Sequence, residues 1–135
     1  MPTVTLNELA WIHDCVLLNI VYDASGEAGR NVTCTMRCPG DLGYAPWQGK
    51  TLVLKAIDVA MFRHLGWGVA GMETISAIRP GISDAAQEST IDARTAGVRF
   101  PNIEFTMDMH SGSTMEVICS QLEIETDEVQ QNDLR

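Results

Sequence analysis

The segment Cys15–Asp23 reads CVLLNIVYD and decides the fold class, because β-branched and aromatic residues dominate it. A glycine-containing turn at 24–29 follows it. The segment 32–38, VTCTMRC, then alternates apolar and polar side chains with the period of a half-buried strand. Together the two segments predict an antiparallel hairpin. We expect the even-numbered residues of the first strand to share one face: Val16, Leu18, Ile20 and Tyr22.

Further strand patterns follow the hairpin, at 50–59, 73–79, 98–109 and 115–125. In the segment 98–109 the apolar side chains change from even to odd positions at Pro101–Asn102, which predicts a β-bulge. The segment 58–65 fits either a strand extension or a short helical turn.

One helix is expected near residues 84–96, capped by Ser83 or Asp84 and ended by Gly97. Its only large apolar residue is Ile91, which is typical of a peripheral helix. The predicted fold is therefore α+β and β-dominated, a largely antiparallel sheet curled into a sandwich or half-barrel with one helix. The 135 residues suit a single domain spanning 1–135, with an acidic polar tail at about 126–135.

Charge and hydropathy exclude several classes of function. The net charge is −9, divided into −1 over residues 1–67 and −8 over 68–135, with no cluster of Lys and Arg. Such a surface repels phosphate backbones, so we expect no nucleic-acid binding. No apolar run approaches the roughly 18 residues of a membrane helix, and no signal-peptide pattern opens the chain, so we expect no membrane association and a cytoplasmic protein. The acidic half either serves solubility or meets a basic partner.

The four cysteines are Cys15, Cys34, Cys38 and Cys119, and no two form a C-x-x-C pair. Cys34 and Cys38 lie four apart in a strand, hence roughly 13 Å from each other, which is too far for a disulfide. Each cysteine stands in a strand-like segment that is rich in apolar residues. We therefore predict reduced, buried thiols.

A glycine motif at 66–71, GWGVAG, matches the G-x-G-x-x-G of dinucleotide sites. Such a site needs a helix after the glycines, but the next residues have an extended pattern and reach Pro80. We therefore expect no nucleotide and no cofactor.

An alternative hypothesis is a metal site that uses His13, Asp108 and His110, with His64 in reserve. Asp108 and His110 share one side of a strand, because positions i and i+2 point the same way. The competing interpretation is that both face solvent, opposite an inward methionine pair.

Aromatic residues in the loop 39–49 suggest a recognition surface. The partner-binding residues we predict are Asp41, Tyr44, Trp47 and Trp67. The alternative is that the rings fold back as lids over an open end of the sheet.

The opening WIHDCVL, residues 11–17, with the hairpin after it resembles small bacterial proteins that begin with a His-Asp-x-x-Leu-type strand. Many of these are uncharacterised, and some resemble immunity proteins of toxin systems. The resemblance covers roughly residues 11–60, and Cys15 stands where a small or acidic residue is more usual. It implies a protein that binds and blocks another protein, and it carries over no catalytic residue.

The function we expect is a non-enzymatic cytoplasmic protein-binding domain, an immunity-like inhibitor of a basic partner. The alternative is a small metal-dependent enzyme or metal-binding protein that uses the His/Asp cluster. A third hypothesis is a homo-oligomer in which the strand at 98–109 pairs edge to edge across a two-fold axis.

Overall fold

The computed structural model describes residues 3–24, 29–38, 49–66 and 73–126. The strands are β1 (Thr3–Val4), β2 (Val16–Asp23), β3 (Asn31–Arg37), β4 (Thr51–Ile57), β5 (Met61–Leu65), β6 (Ile75–Pro80), β7 (Ile103–Met109), β8 (Thr114–Cys119) and β9 (Gln121–Thr126). The helices are a 3₁₀ helix (Glu8–Ile12), α1 (Asp84–Ser89) and α2 (Ile91–Thr95).

The strands form two antiparallel sheets. The first has the order β1-β9-β4-β3-β2, and the second has the order β5-β8-β7-β6. The predicted α+β, β-dominated fold with a curled antiparallel sheet is confirmed, and so is the first hairpin, in which Ile20 lies opposite Cys34. The strand at 98–109 is not the edge that a homo-oligomer would use, because β7 lies between β8 and β6, and the homo-oligomer itself stays a prediction.

Two strand pairs run from one sheet into the other around a shared corner. β4 continues into β5 at Asp58, whose φ is +58°, and β8 continues into β9 at Ser120. The hydroxyl of Ser120 donates to Asp58 Oδ2 at 2.9 Å. The single last strand predicted at 115–125 is therefore wrong, since it is two strands in two sheets. The pattern of the segment 58–65 fits either a strand extension or a short helical turn. In the structure, residues 61–65 of this segment form strand β5.

The core lies between the two sheets, and both contribute to it. On β3 the buried side chains are Val32, Cys34 and Met36, which confirms the predicted alternation. Phe105, Met107 and Val117 of the second sheet join the same core. Burial on one face of each sheet is thus the main stabilising term of the fold.

The predicted helix is confirmed as two short helices that meet at Thr90. Ser83 caps α1, because its hydroxyl accepts the backbone N–H of Ala86 at 3.2 Å. Only Ala86 is a buried residue within these helices, and Ile91 is 54% exposed, so the peripheral position is also confirmed.

The long strand predicted at Val98–Met109 starts too early. The structure begins β7 at Ile103, and residues 98–102 belong to no strand, so no bulge forms at Pro101–Asn102. Pro101 has no N–H to give to a ladder, which explains why pairing starts after it. Phe100 instead packs beneath the guanidinium of Arg94, 4.4 Å from the ring centroid.

Candidate functional site: an apolar groove between two sheet edges

Exposed apolar side chains concentrate on two strands. Of the large apolar residues that the described ranges expose, four lie on β2 and β5: Leu18 (52%), Val21 (52%), Tyr22 (42%) and Leu65 (47%). Leaving such side chains in water forgoes the roughly 1.5–3 kcal/mol that burial of one would contribute. Two of them, Leu18 and Tyr22, line the same groove, and this indicates a contact surface.

β2 and β5 are both outer strands, one in each sheet, and a groove of about 460 Å³ lies between them. The ring of Tyr22 stacks on that of Phe62, with centroids 5.4 Å apart and planes inclined by 18°. The residues that line this β2–β5 groove are Leu17, Leu18, Asn19, Ile20, Tyr22, Phe62, His64 and Glu73.

The outer edge of β2 is paired only at its beginning. The N–H of Leu17 donates to the carbonyl of Glu73 at 2.8 Å, and Val16 forms an isolated bridge with Thr74. Beyond Leu17, no described strand lies against this edge. An unpaired edge offers backbone donors and acceptors to another extended chain.

A β-bulge between Leu17 and Asn19 brings the apolar side chains of β2 to the surface. Ahead of the bulge Leu17 packs against the core, and after it Ile20 does so. Tyr22 lies opposite the buried Val32 and therefore on the same face as Ile20, where it contacts Phe62 and stays 42% exposed. Leu18, at the bulge, is 52% exposed. The prediction that the even-numbered residues share one face holds for Ile20 and Tyr22 but is wrong for Val16, because the extra residue changes which positions point inward.

The polar end of the groove is an acidic residue held by serines. The hydroxyl of Ser111 donates to Glu73 Oε1 at 2.6 Å and lies 2.9 Å from the hydroxyl of Ser113. Ser113 is fully buried and packs against Gly66, where an added Cβ would collide with it. No Lys or Arg is among the described lining residues, so the groove favours cations over anions.

The residues of the metal hypothesis lie in three places. Nδ1 of His13 is 3.1 Å from Asp14 Oδ2, and Nε2 of His110 is 3.9 Å from Asp14 Oδ1. Asp108 instead accepts two hydrogen bonds from Arg79, at 2.7 and 3.3 Å, and this pairing raises the pKa of Arg79. His64 lies on β5, in the groove. In the part of the chain that the structure describes, no three His, Cys, Asp or Glu side chains are arranged to hold a metal ion.

The predicted partner-binding residues Asp41, Tyr44, Trp47 and Trp67 lie outside the described residues and stay predictions. Most of the glycine motif and nearly all of the predicted acidic tail also lie outside the described residues. Sequence reasoning missed the β2–β5 groove. The signal was present in CVLLNIVYD, since apolar residues occupy both faces of that strand where a half-buried strand would alternate.

All four cysteines are buried, as predicted, and none of them forms a disulfide in the structure. Desolvation raises the pKa of the Cys34 thiol to about 12 and that of Cys119 to about 11. Thiols with such pKa values stay protonated at neutral pH and are poor nucleophiles. Neither cysteine therefore suggests covalent catalysis.

Comparison with models of protein families, with curated proteins and with solved structures finds no match to this chain. Among the described residues, no helix has the length and apolar character needed to cross a membrane.

Proposed function

We propose that this chain is a non-enzymatic protein-binding domain that takes an extended, basic segment of a partner protein into the β2–β5 groove. One coincidence carries the proposal: the exposed apolar side chains Leu18 and Tyr22 lie on the strand against whose outer edge, beyond Leu17, no described strand is placed. A surface needs both features to bind an extended peptide. The edge supplies main-chain hydrogen bonds, and the apolar groove supplies pockets for alternate side chains.

The aromatic pair strengthens this assignment. Tyr22 is 42% exposed although it stacks on Phe62, so much of its ring area is left to contact a partner. Tyr is enriched among the residues that dominate interface energies. Two side chains that already hold each other also lose little conformational entropy on binding.

The negative charge of the chain and of the β2–β5 groove favours a basic partner segment. The chain carries −9, and the groove has a carboxylate, Glu73, at its polar end and no basic residue among its described lining residues. A second copy of the same chain would bring like charge to this surface, which slows and weakens association. A segment with Lys or Arg beside apolar residues complements it.

The finer assignment is an immunity-like inhibitor of a basic partner, in the cytoplasm of a bacterium. It is supported by the resemblance of residues 11–17, which run directly into β2. In this proposal Asp41, Tyr44, Trp47 and Trp67 form a second contact with the same partner.

The test uses two synthetic peptides of about eight residues, a common strand length, that alternate Val with Lys or Val with Glu. Labelled peptide is titrated with the full chain, and binding is followed by fluorescence anisotropy. We expect the Val–Lys peptide to bind and the Val–Glu peptide not to bind, because only the first complements the charge of the groove.

A matched pair of variants locates the binding site. Leu18→Ser removes an apolar side chain from the groove, whereas Ile91→Ser removes one of equal exposure (54% against 52%) from α2. We expect Leu18→Ser to weaken binding at least about tenfold, and Ile91→Ser to leave it unchanged. Equal binding of both peptides, or equal effects of both substitutions, would contradict the proposal.

A further inference from the structure

The hairpin places two cysteines opposite each other. Val16 pairs with Arg37 and Leu17 with Met36, so the same register sets Cys15 against Cys38 at the next position. Both side chains are buried, at 1% and 4% exposure. Facing residues of an antiparallel pair lie on the same side of the sheet, which brings these two thiols together.

The backbone around the pair has the geometry that a cross-strand disulfide needs. The N–H of Cys15 donates to Ile12 and its carbonyl accepts from Ile75, while the N–H of Cys38 donates to Lys50. These groups point away from the facing cysteine, so the two residues form a non-hydrogen-bonded pair. In such pairs the Cα atoms are about 4.5 Å apart, at the short end of the range for disulfides.

The pKa values of the two thiols shift in opposite directions. A hydrogen bond between the side chains lowers the pKa of Cys38, and the same hydrogen bond, followed by desolvation, raises the pKa of Cys15. The remaining thiols make other contacts: Cys34 lies 3.9 Å from the sulfur of Met115, and Cys119 is buried on β8. Cys38 is also the more exposed of the two side chains, at 4% against 1%, so we assign the first attack to Cys38.

We propose that Cys15 and Cys38 form a reversible disulfide by exchange with a low-molecular-weight disulfide of the oxidised-glutathione class. The Cys38 thiolate attacks one sulfur of that disulfide, whose S–S bond breaks, and one thiolate leaves with the electron pair. Cys15 then loses its proton, attacks the Cys38 sulfur of the mixed disulfide and expels the second thiolate. Both leaving thiolates take up protons, so two protein thiols are oxidised and one small disulfide is reduced to two thiols.

This inference does not depend on the proposed function. It adds a modification site next to the groove, because Cys15 directly precedes β2 and its carbonyl bonds Ile75 of β6. The disulfide fixes the start of β2 to the end of β3, beside Leu17. A Cα–Cα separation of about 4.5 Å is near the lower limit for disulfides, so we expect this bond to be readily reduced.

The test is disulfide mapping of the full chain after incubation with oxidised glutathione. We expect the intact mass to fall by about 2 Da, for the two hydrogens lost. Trypsin separates the cysteines completely, since Cys15, Cys34, Cys38 and Cys119 lie in the peptides 1–30, 31–37, 38–50 and 100–135. The expected product links peptide 1–30 to peptide 38–50, and dithiothreitol releases it.

Four single variants test the assignment: two remove a thiol of the proposed pair, and two controls remove a thiol outside it. Cys15→Ser and Cys38→Ser should abolish the loss of mass, whereas Cys34→Ser and Cys119→Ser should retain it. The map of the unaltered chain decides the question even if a variant does not fold. A different cross-link, a glutathione adduct that never resolves, or four thiols that stay alkylatable after oxidation would each overturn the proposal.

Discussion

At the scale of single residues, the most constrained charge in the described structure is the carboxylate of Glu116. It is 3% exposed on β8, a central strand whose outer face lies beneath α1. Its Oε2 accepts the N–H of Ser83 at 2.6 Å, and its Oε1 accepts from Arg63 at 3.3 Å. A buried charge is tolerated only when it is paired and hydrogen-bonded in this way.

Replacing Glu116 should therefore destabilise the protein strongly. We expect Glu116→Ala to lower the free energy of unfolding by about 3 kcal/mol, because Arg63 and the N–H of Ser83 lose their partner. Glu104→Ala is the control, since Glu104 is 34% exposed and 3.7 Å from Arg94, and it should cost less than about 1 kcal/mol. Urea unfolding measures both, and losses of the same size would contradict the assigned role of Glu116.

The buried thiols make stability depend on alkaline pH. Desolvation raises the pKa of Cys34 from 9.0 to about 12 and that of Cys119 from 9.0 to about 11. In the unfolded chain both ionise near 9.0, so their contribution is intact below that pH. It is lost as pH rises toward the folded values, by up to about 1.4 kcal/mol per pH unit for each thiol.

Urea unfolding of the reduced protein between about pH 8 and pH 10.5 measures this dependence. Cys34→Ala is the matched variant, because it removes one of the two thiols. It should be less stable at pH 8 but lose stability less steeply above pH 9. A slope identical to that of the unaltered chain would show that the Cys34 thiol does not cause the loss.

At the scale of elements, α1 depends on its cap more than on its core contact. Only Ala86 of this six-residue helix is buried, whereas Ser83 satisfies the free N–H of Ala86. We expect Ser83→Ala to lower the free energy of unfolding by about 1 kcal/mol. The control is Ser89→Ala on the same helix, whose hydroxyl bonds the carbonyl of Ala86. That substitution should change stability by less than about 0.5 kcal/mol, and thermal unfolding that ranks the two the other way would refute the capping role.

Period and capping signals could be recognised in sequence, whereas the choice of sheet could not. The alternation of 32–38 predicted β3, and Ser83 predicted the start of α1. The strand pattern predicted at 115–125 gave no sign of the corner at Ser120. That corner depends on a side chain 62 positions away, Asp58, whose contact no local pattern records.

At the scale of the whole molecule, the two sheets bury one core and leave an outer edge of each beside the β2–β5 groove. The candidate site could not be predicted from sequence because it depends on a bulge and on the meeting of strands 40 positions apart, as Tyr22 and Phe62 show. The metal hypothesis also depended on contacts between distant residues, which the sequence does not record. Its two histidines do approach each other, but around Asp14, while Arg79 holds Asp108.

The most direct test of the central claim is hydrogen–deuterium exchange of the full chain with and without a saturating concentration of the Val–Lys peptide. If the peptide adds a strand to the free edge and fills the groove, amides of β2 and β5 become protected, because their backbone donors are shielded from water. Protection within 16–23 and 61–65, with none in α1 and α2, is the result that we predict. Protection confined to the helices or to residues 39–48, with β2 unchanged, would show that binding occurs elsewhere and contradict the account.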